Sequence, residues 1–179
     1  MLDVYKIRKD FPILGKKVNN TDLIYFDNAA TSQTPNQVID VISSYYKENN
    51  SNIHRGLHSL SADATNKYEN SRSIIKNHFG AAHDHEIIFT SGTTHGINII
   101  SSGLEKLISS KDELIVSEME HHSNIVPWQM LCEKTGSKLK VIPINDDGTL
   151  DINEYKSLLT NKVKFVFINH VSNTLGIVN

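Results

Sequence analysis

Residues 114–128 read Leu114-Ile115-Val116-Ser117-Glu118-Met119-Glu120-His121-His122-Ser123-Asn124-Ile125-Val126-Pro127-Trp128. The run begins with apolar residues typical of a buried strand, and a histidine pair follows them closely. A helix pattern comes next, with Pro127 in the first turn, where proline is tolerated. In α/β proteins the ligand crevice lies at the carboxyl ends of the strands. This stretch therefore predicts a strand that delivers an imidazole to a cofactor site.

Helices and strands alternate along the chain around this stretch. The spacing of apolar side chains predicts helices over residues 35–49, 60–79, 96–108, 125–135 and 152–159. Short β-branched runs predict strands over residues 86–90, 114–116, 139–144 and 163–168. Such an alternation favours parallel strands covered by helices. We therefore predict an α/β fold, with an N-terminal arm at residues 1–20 and a continuous domain at 21–179.

Composition argues against several classes of function. With 18 basic and 20 acidic side chains, the net charge of −2 gives no electrostatic reason to expect a nucleic acid or a membrane surface as partner. The N-terminus has no apolar stretch long enough for a signal peptide or a membrane span. The single cysteine, Cys132, fits a reducing cytoplasm. The nine histidines lack the spacing of metal ligands, so we predict no metal site.

The segment after the first predicted strand is suited to an anion. Thr90-Ser91-Gly92-Thr93-Thr94 opens a helix, where free backbone amides and the helix dipole favour negative charge. No Gly-Lys-Ser/Thr follows, so a phosphate on a small cofactor fits better than a nucleotide. An ordinary helix N-cap is the alternative interpretation.

Two further strand ends carry polar groups. His121 can lie over an aromatic ring and relay a proton, whereas the alternative is that both histidines are surface residues capping the next helix. Asn173, in the run His170-Val171-Ser172-Asn173-Thr174-Leu175-Gly176, can donate to a carboxylate or phenolate oxygen, although Ser-Asn is also ordinary turn chemistry. Three polar strand ends in one crevice favour a cofactor site.

These motifs resemble the pyridoxal 5′-phosphate (PLP)-dependent cysteine desulfurases, in particular the SufS/NifS-like branch of the class V aminotransferases. The resemblance runs from Phe11 to Asn179 and is most specific at residues 119–128 and 170–176. It is also carried by Tyr25-Phe26-Asp27-Asn28-Ala29-Ala30-Thr31, by residues 52–61 and by residues 88–94. It implies the PLP-dependent transferase fold type I, here a partial large domain. Its mostly parallel sheet would be incomplete, with strand 86–90 unable to pair with the other three.

The resemblance also implies how the cofactor is held. Thr93 and Thr94 would bind the phosphate of PLP. His121 would stack on the pyridine ring and act as the catalytic group that shuttles protons. His95 stands where relatives often have glutamate, so it is given no cofactor role.

Substrate and partners follow from the same resemblance. Asn173 would lie near the cofactor and the substrate carboxylate, and the backbone of Ala29 and Ala30 would form part of the substrate pocket. His54 and Arg55 would lie near the interface of a homodimer. The expected substrate is L-cysteine, with L-selenocysteine as an alternative, and a SufE-like protein would accept the sulfur.

The implied reaction converts L-cysteine into L-alanine and leaves sulfur as a persulfide for iron–sulfur cluster assembly. In the family, the lysine that tethers PLP and the persulfide cysteine come after the Asn-x-Leu-Gly element, and residues 1–179 contain neither. Cys132 lies inside a predicted helix and is not expected to replace the latter. The chain alone is therefore expected to be inactive. Alternatives are another class V enzyme (a selenocysteine lyase, aminotransferase or epimerase) and a non-catalytic truncated product that pairs with an intact partner.

Overall fold

The computed structural model describes residues 2–179, which form two compact units. The first ends at Ile88 and the second comprises Phe89–Asn179. This division differs from the arm and domain expected from the sequence, whose boundary at residue 20 stays a prediction.

The first unit is mainly helical. Its elements are α1 (Val4–Arg8), a 3₁₀ turn (Pro12–Gly15), the antiparallel pair β1 (Lys17–Val18) and β2 (Thr21–Asp22), α2 (Asn36–Ser44), a π-helical turn (Tyr45–Asn49), α3 (Ser59–Phe79) and a 3₁₀ turn (Asp84–Glu86). The helices predicted over 35–49 and 60–79 are confirmed. α3 ends at Phe79, as predicted, and Gly80 follows with a φ of 70°, a conformation that glycine adopts without a steric penalty.

The strand predicted over residues 86–90 is wrong. A 3₁₀ turn occupies Asp84–Glu86, and residues 87–90 have no ladder partner among the described residues. The backbone at Ile87 is extended, but a strand also needs hydrogen bonds to a neighbour. Instead, the Arg72 guanidinium donates to the Ile87 carbonyl.

The second unit is a parallel sheet with helices. It contains α4 (Thr93–Leu104), a 3₁₀ turn (Glu105–Leu107), β3 (Glu113–Ser117), a 3₁₀ turn (His122–Asn124), α5 (Val126–Thr135), β4 (Lys138–Ile142), α6 (Ile152–Leu158) and β5 (Val163–Phe167). The strand order is β4-β3-β5, with both pairs parallel. Three predicted strands and three predicted helices are thus confirmed.

Local chemistry explains where these elements begin and end. α4 begins at Thr93, three residues before the predicted start at Gly96, because Gly92 takes the non-helical cap position. β4 ends at Ile142 because the following residue, Pro143, has no amide for the ladder. α6 begins after Asp151, whose carboxylate caps the helix by accepting the amides of residues 153 and 154 at 2.9 Å.

The core is built on β3, which is buried along its whole length because β4 and β5 flank it. Its side chains alternate between the two faces of the sheet. Leu114 and Val116 join one apolar cluster with Ile108, Trp128, Leu131 and Cys132. Ile115 joins the other, with Met119, Ile142 and Leu150. This placement fixes the strand register and therefore the position of every residue at the carboxyl end of β3. No helix within residues 2–179 has the length and apolar character needed to cross a membrane.

Candidate active site at the carboxyl edge of the sheet

The carboxyl ends of β3 and β5 are joined by hydrogen bonds. The backbone amide of Asn169, just after β5, donates to Oε1 of Glu120 at 2.8 Å. The Asn169 side-chain amide donates to the carbonyl of Met119 at 3.3 Å. The segment bearing His121 is therefore held against the segment that leads to Asn173. Two of the three predicted polar strand ends share one edge, as parallel pairing requires.

Glu120 is the centre of this junction. Its carboxylate is buried and also accepts the Ser117 hydroxyl at 2.6 Å and the Asn124 side-chain amide at 2.7 Å. The Asn124 oxygen in turn accepts the indole N–H of Trp128 at 2.9 Å. Trp128 is buried and stacks on Phe167, with ring centroids 3.6 Å apart. The turn after β3 is thus anchored in the apolar core.

His121 is exposed and caps the 3₁₀ turn that follows it. Its Nδ1 accepts the backbone amide of Ser123 at 3.1 Å and lies 2.8 Å from the Ser123 hydroxyl oxygen. A neutral imidazole that accepts at Nδ1 carries its proton on Nε2. His121 therefore acts as a cap through Nδ1, and its Nε2 makes no hydrogen bond within residues 2–179. The alternative interpretation, in which the histidines cap the next element, therefore accounts for Nδ1 of His121. It leaves Nε2 available to bind a ligand.

The N-terminus of α4 offers unpaired backbone donors. Gly92 is the cap residue, with φ 136° and ψ 172°, and no side chain caps the helix. The first helical bond runs from the Gly96 amide to the Gly92 carbonyl at 3.0 Å, so the amides between them have no helical acceptor. Thr93 and Thr94, in this first turn, are exposed. Such a terminus favours a phosphate group.

Packing places the helix α4 beside the turn that carries the histidine pair. The buried Ser101 hydroxyl in α4 donates to the carbonyl of Pro127 in α5 at 3.1 Å. α4 also contacts the 3₁₀ turn at His122–Asn124, and its Ile97 packs on the apolar cluster that contains Trp128. The predicted phosphate site and the predicted ring-stacking residue therefore lie on adjoining elements of one unit.

Asn173 lies in an exposed loop after β5. The loop is closed by the antiparallel bridge between Val171 and Val178, and Gly176 takes a φ of 70°. The Asn173 amide donates to the Thr174 hydroxyl at 3.4 Å. Its role beside the cofactor and the substrate carboxylate stays a prediction.

Ala29 and Ala30 belong to the first unit, in an exposed turn. The carbonyl of Asp27 accepts the amides of Ala30 at 3.2 Å and Thr31 at 3.0 Å. The Tyr25 hydroxyl donates to the carbonyl of Thr31 at 2.7 Å, and its oxygen lies 3.1 Å from the carbonyl oxygen of Asp27, so the ring holds the turn. A place for both alanines in the substrate pocket stays a prediction.

His54 and Arg55, expected near a dimer interface, also lie in the first unit. Both residues are exposed, and His54 takes a φ of 66°. Its Nε2 lies 3.3 Å from a Glu69 carboxylate oxygen. The Arg72 guanidinium lies 3.0 Å from the same carboxylate group, so Glu69 and Arg72 form an i,i+3 ion pair on α3.

Two carboxylates with shifted pKa values lie at the opposite, amino end of β3. The Lys140 ammonium, 2.9 Å away, lowers the pKa of Glu113, and the Thr160 hydroxyl adds to the effect. The amide and hydroxyl of Ser109 lower the pKa of Asp112. These groups support the fold at a distance from His121. Within residues 2–179, no cluster of three or more metal-ligating side chains could hold an ion.

Three residues of this edge, Glu120, Asn124 and Trp128, have no role predicted from the sequence. Their spacing of four residues, directly after a buried strand, was the available signal. A carboxylate can only accept hydrogen bonds and an indole N–H can only donate, so an amide between them can bond to both. The fourth partner, Asn169, is 49 residues away and gives no local signal.

Comparison with known proteins gives consistent matches. A profile of the family described as aminotransferase class-V matches residues 24–179. The chain is 50% identical to the probable cysteine desulfurase of Staphylococcus epidermidis and 48% identical to that of Staphylococcus aureus strain N315, each over 175 residues. These alignments cover 97% of this chain and 42% of each relative. The chain therefore spans well under half the length of the curated relatives it matches.

Solved structures agree with the sequence matches. The apo cysteine desulfurase of Thermococcus onnurineus NA1 has a TM-score of 0.88 at 39% identity, covering 99% of this chain and 42% of that protein. The Escherichia coli cysteine desulfurase CsdA, in its S-sulfonic acid form, has a TM-score of 0.81 at 28% identity, covering 99% of this chain and 44% of that protein.

Proposed function

Because this chain belongs to the class V aminotransferase family, we propose that it forms the N-terminal part of a cysteine desulfurase. Such an enzyme converts L-cysteine into L-alanine and retains the sulfur as a persulfide. The fold is the α/β fold type I of PLP-dependent transferases, and the cofactor is PLP, both as expected from the sequence. The observation that carries the proposal is the 50% identity over 175 residues to a relative named as a cysteine desulfurase.

The residues at the carboxyl edge fit a phosphorylated aromatic cofactor. When bound, PLP supplies an electron sink that withdraws electron density from the substrate amino acid. The first-turn amides of α4 would bind its phosphate, and the hydroxyls of Thr93 and Thr94 would add charge-assisted donors. A Cβ at Gly92 would meet no atom within 4 Å, so the helix terminus is open to a ligand.

His121 supplies the proton-transfer group of the proposal. The Ser123 amide holds its ring through Nδ1, which leaves the ring and Nε2 exposed. We assign Nε2 the role of donating and accepting a proton at the substrate, with the ring stacked on the cofactor. Asn173 would hold the substrate carboxylate, and the backbone of Ala29 and Ala30 would line the substrate pocket.

The chain alone is proposed to be inactive, as the sequence led us to expect. Its single cysteine, Cys132, is 7% exposed and packs in the apolar cluster under the sheet. A sulfur-accepting nucleophile must reach the substrate, whereas a buried thiol in a helix is inert.

The proposed assembly is a cytoplasmic homodimer that passes sulfur to a SufE-like acceptor for iron–sulfur cluster assembly. In the first unit, Phe26 is 94% exposed and Leu57 is 106% exposed. Each lies beside a motif assigned to the substrate pocket or to the interface. We propose that the partner subunit covers these two side chains.

A chimera tests the proposed function. Residues 1–179 would replace the matching segment of the Staphylococcus epidermidis relative, and alanine released from L-cysteine would be measured. We expect activity in the chimera, its loss in a His121→Ala chimera, and none in the 179-residue chain. A folded chimera that releases alanine from L-selenocysteine but not from L-cysteine would refute the desulfurase assignment.

A further inference from the structure

The hydrogen bonds from Trp128 through Asn124 to Glu120 have one possible direction. The indole N–H of Trp128 can only donate, and the ionised carboxylate of Glu120 can only accept. The Asn124 side chain must therefore turn its oxygen toward the indole, at 2.9 Å, and its NH₂ group toward the carboxylate, at 2.7 Å. We call these three side chains the relay.

The relay holds the turn that carries His121. Asn124 lies at the end of this turn, and its backbone amide donates to the His121 carbonyl at 2.7 Å. Glu120 immediately precedes His121, and the hydrogen bond between Glu120 and Asn124 therefore closes the turn from both sides. The Ser123 amide, which lies inside this closed turn, is the group that bonds to the His121 ring at 3.1 Å.

We propose that Glu120 is a positioning residue for His121. Its buried carboxylate fixes Asn124, Asn124 fixes the turn, and the turn fixes the imidazole with Nδ1 bonded and Nε2 facing the site. This inference rests on the proposed function, because the orientation of the ring has a catalytic meaning only if a cofactor lies over it. The effect of the relay on the turn can be measured without any cofactor.

The isosteric variant Glu120→Gln would reverse part of the relay. The new side chain would keep its oxygen toward Ser117 and Asn169, which both donate to Oε1. Its NH₂ group would then face the NH₂ group of Asn124. Rotating the Asn124 amide relieves this clash but turns its NH₂ toward the indole N–H of Trp128, which is buried and would lose its acceptor. Because every arrangement leaves a donor unsatisfied, the turn should open.

Removing the indole N–H should restore the turn. In Trp128→Phe, no donor faces Asn124, so the rotated amide satisfies the glutamine of the double variant Glu120→Gln/Trp128→Phe. If the Glu120 carboxylate contributed only to general stability, Trp128→Phe would not restore the turn. Glu113→Gln is the matched control, because Glu113 is also 8% exposed, is hydrogen-bonded and lies at the other end of β3.

Amide hydrogen exchange of the full 179-residue chain, read by mass spectrometry, tests the proposal. The quantity is the exchange rate of residues 122–125 divided by that of β4, so that global unfolding cancels. We expect Glu120→Gln to raise this ratio about tenfold, the scale of one lost buried hydrogen bond. Glu113→Gln should leave the ratio unchanged, and the double variant should return it toward the parent value. If Glu120→Gln does not fold, Asn124→Ala cuts the same link and should raise the ratio similarly.

An unchanged ratio in Glu120→Gln and in Asn124→Ala would overturn the proposal, and so would a double variant that is looser than Glu120→Gln. Titration with pyridoxine 5′-phosphate separates this result from the proposed function. A relay that behaves as expected in a chain that binds no pyridoxine phosphate would refute the cofactor site and leave the positioning role of Glu120 on the turn intact.

Discussion

Replacing Gly92 by alanine probes the geometry at the start of α4. Gly92 has φ 136° and ψ 172°, a region that is almost exclusive to glycine. A Cβ at this position would meet no atom within 4 Å, so any cost comes from the backbone conformation and not from a collision with neighbours. Such a conformation costs a non-glycine residue about 1–3 kcal/mol, and Gly92→Ala should lower the free energy of unfolding by that amount.

Gly96 is the matched control, because it lies in the same helix and its φ is not positive. A Cβ at Gly96 would lie 3.7 Å and 3.9 Å from two side-chain atoms of Thr90, which is ordinary van der Waals contact. Alanine inside a helix is more favourable than glycine by about 0.5–1 kcal/mol. Gly96→Ala should therefore raise the free energy of unfolding, whereas Gly92→Ala should lower it. The free energies of unfolding of the two variants should differ by about 1.5–4 kcal/mol.

Urea unfolding followed by circular dichroism measures both effects. In parallel, pyridoxine 5′-phosphate binding should weaken in Gly92→Ala, since the strained cap reorients the first-turn amides, and should be retained in Gly96→Ala. An unchanged free energy of unfolding in Gly92→Ala would refute the assigned conformation of the helix cap. Equal destabilisation by both variants would refute it as well.

Two further predictions concern β3 and the relay. Lys140 lowers the pKa of Glu113 in the folded chain, so the ionised carboxylate stabilises the fold fully above the pKa of the unfolded side chain. This contribution is lost as the pH falls through the lower pKa of the folded state. The stability gap between the parent and Glu113→Gln, measured by urea unfolding at stepwise lower pH, should therefore shrink in acid, and a constant gap would contradict this. In a double-mutant cycle of Glu120→Gln and Trp128→Phe, we expect a coupling of about 1 kcal/mol or more, whereas additivity within about 0.5 kcal/mol would argue against the directed relay.

The second unit was largely predictable because its signals are local. The apolar run around Leu114 identifies a buried strand, Asp151 identifies a helix start, and Gly136 identifies a helix end with a φ of 72°. Polar residues after β3 and β5 could be assigned to one edge because parallel strands share their carboxyl ends.

Features that depend on distant partners could not be predicted in the same way. Residues 87–90 have the composition of a strand, but pairing depends on a neighbour, and Arg72 takes the Ile87 carbonyl instead. The role of Glu120 could not be predicted from its immediate sequence, because one of its partners, Asn169, comes from the end of β5. The division of the chain at Ile88 likewise depends on contacts and not on a linker composition.

Calorimetry can compare the binding of pyridoxine 5′-phosphate with that of pyridoxine. The comparison tests whether the N-terminus of α4 and His121 form part of a PLP-binding site. Both ligands lack the aldehyde of PLP and so cannot react with surface lysines. We predict that pyridoxine phosphate binds more tightly than pyridoxine and that Thr93→Val/Thr94→Val weakens its binding by about tenfold or more, the scale of lost charge-assisted hydrogen bonds. His121→Ala should weaken the binding of both ligands, because it removes the imidazole that contacts the pyridine ring. Equal affinities for the two ligands, unchanged in both variants, would contradict a PLP site at this edge of the sheet.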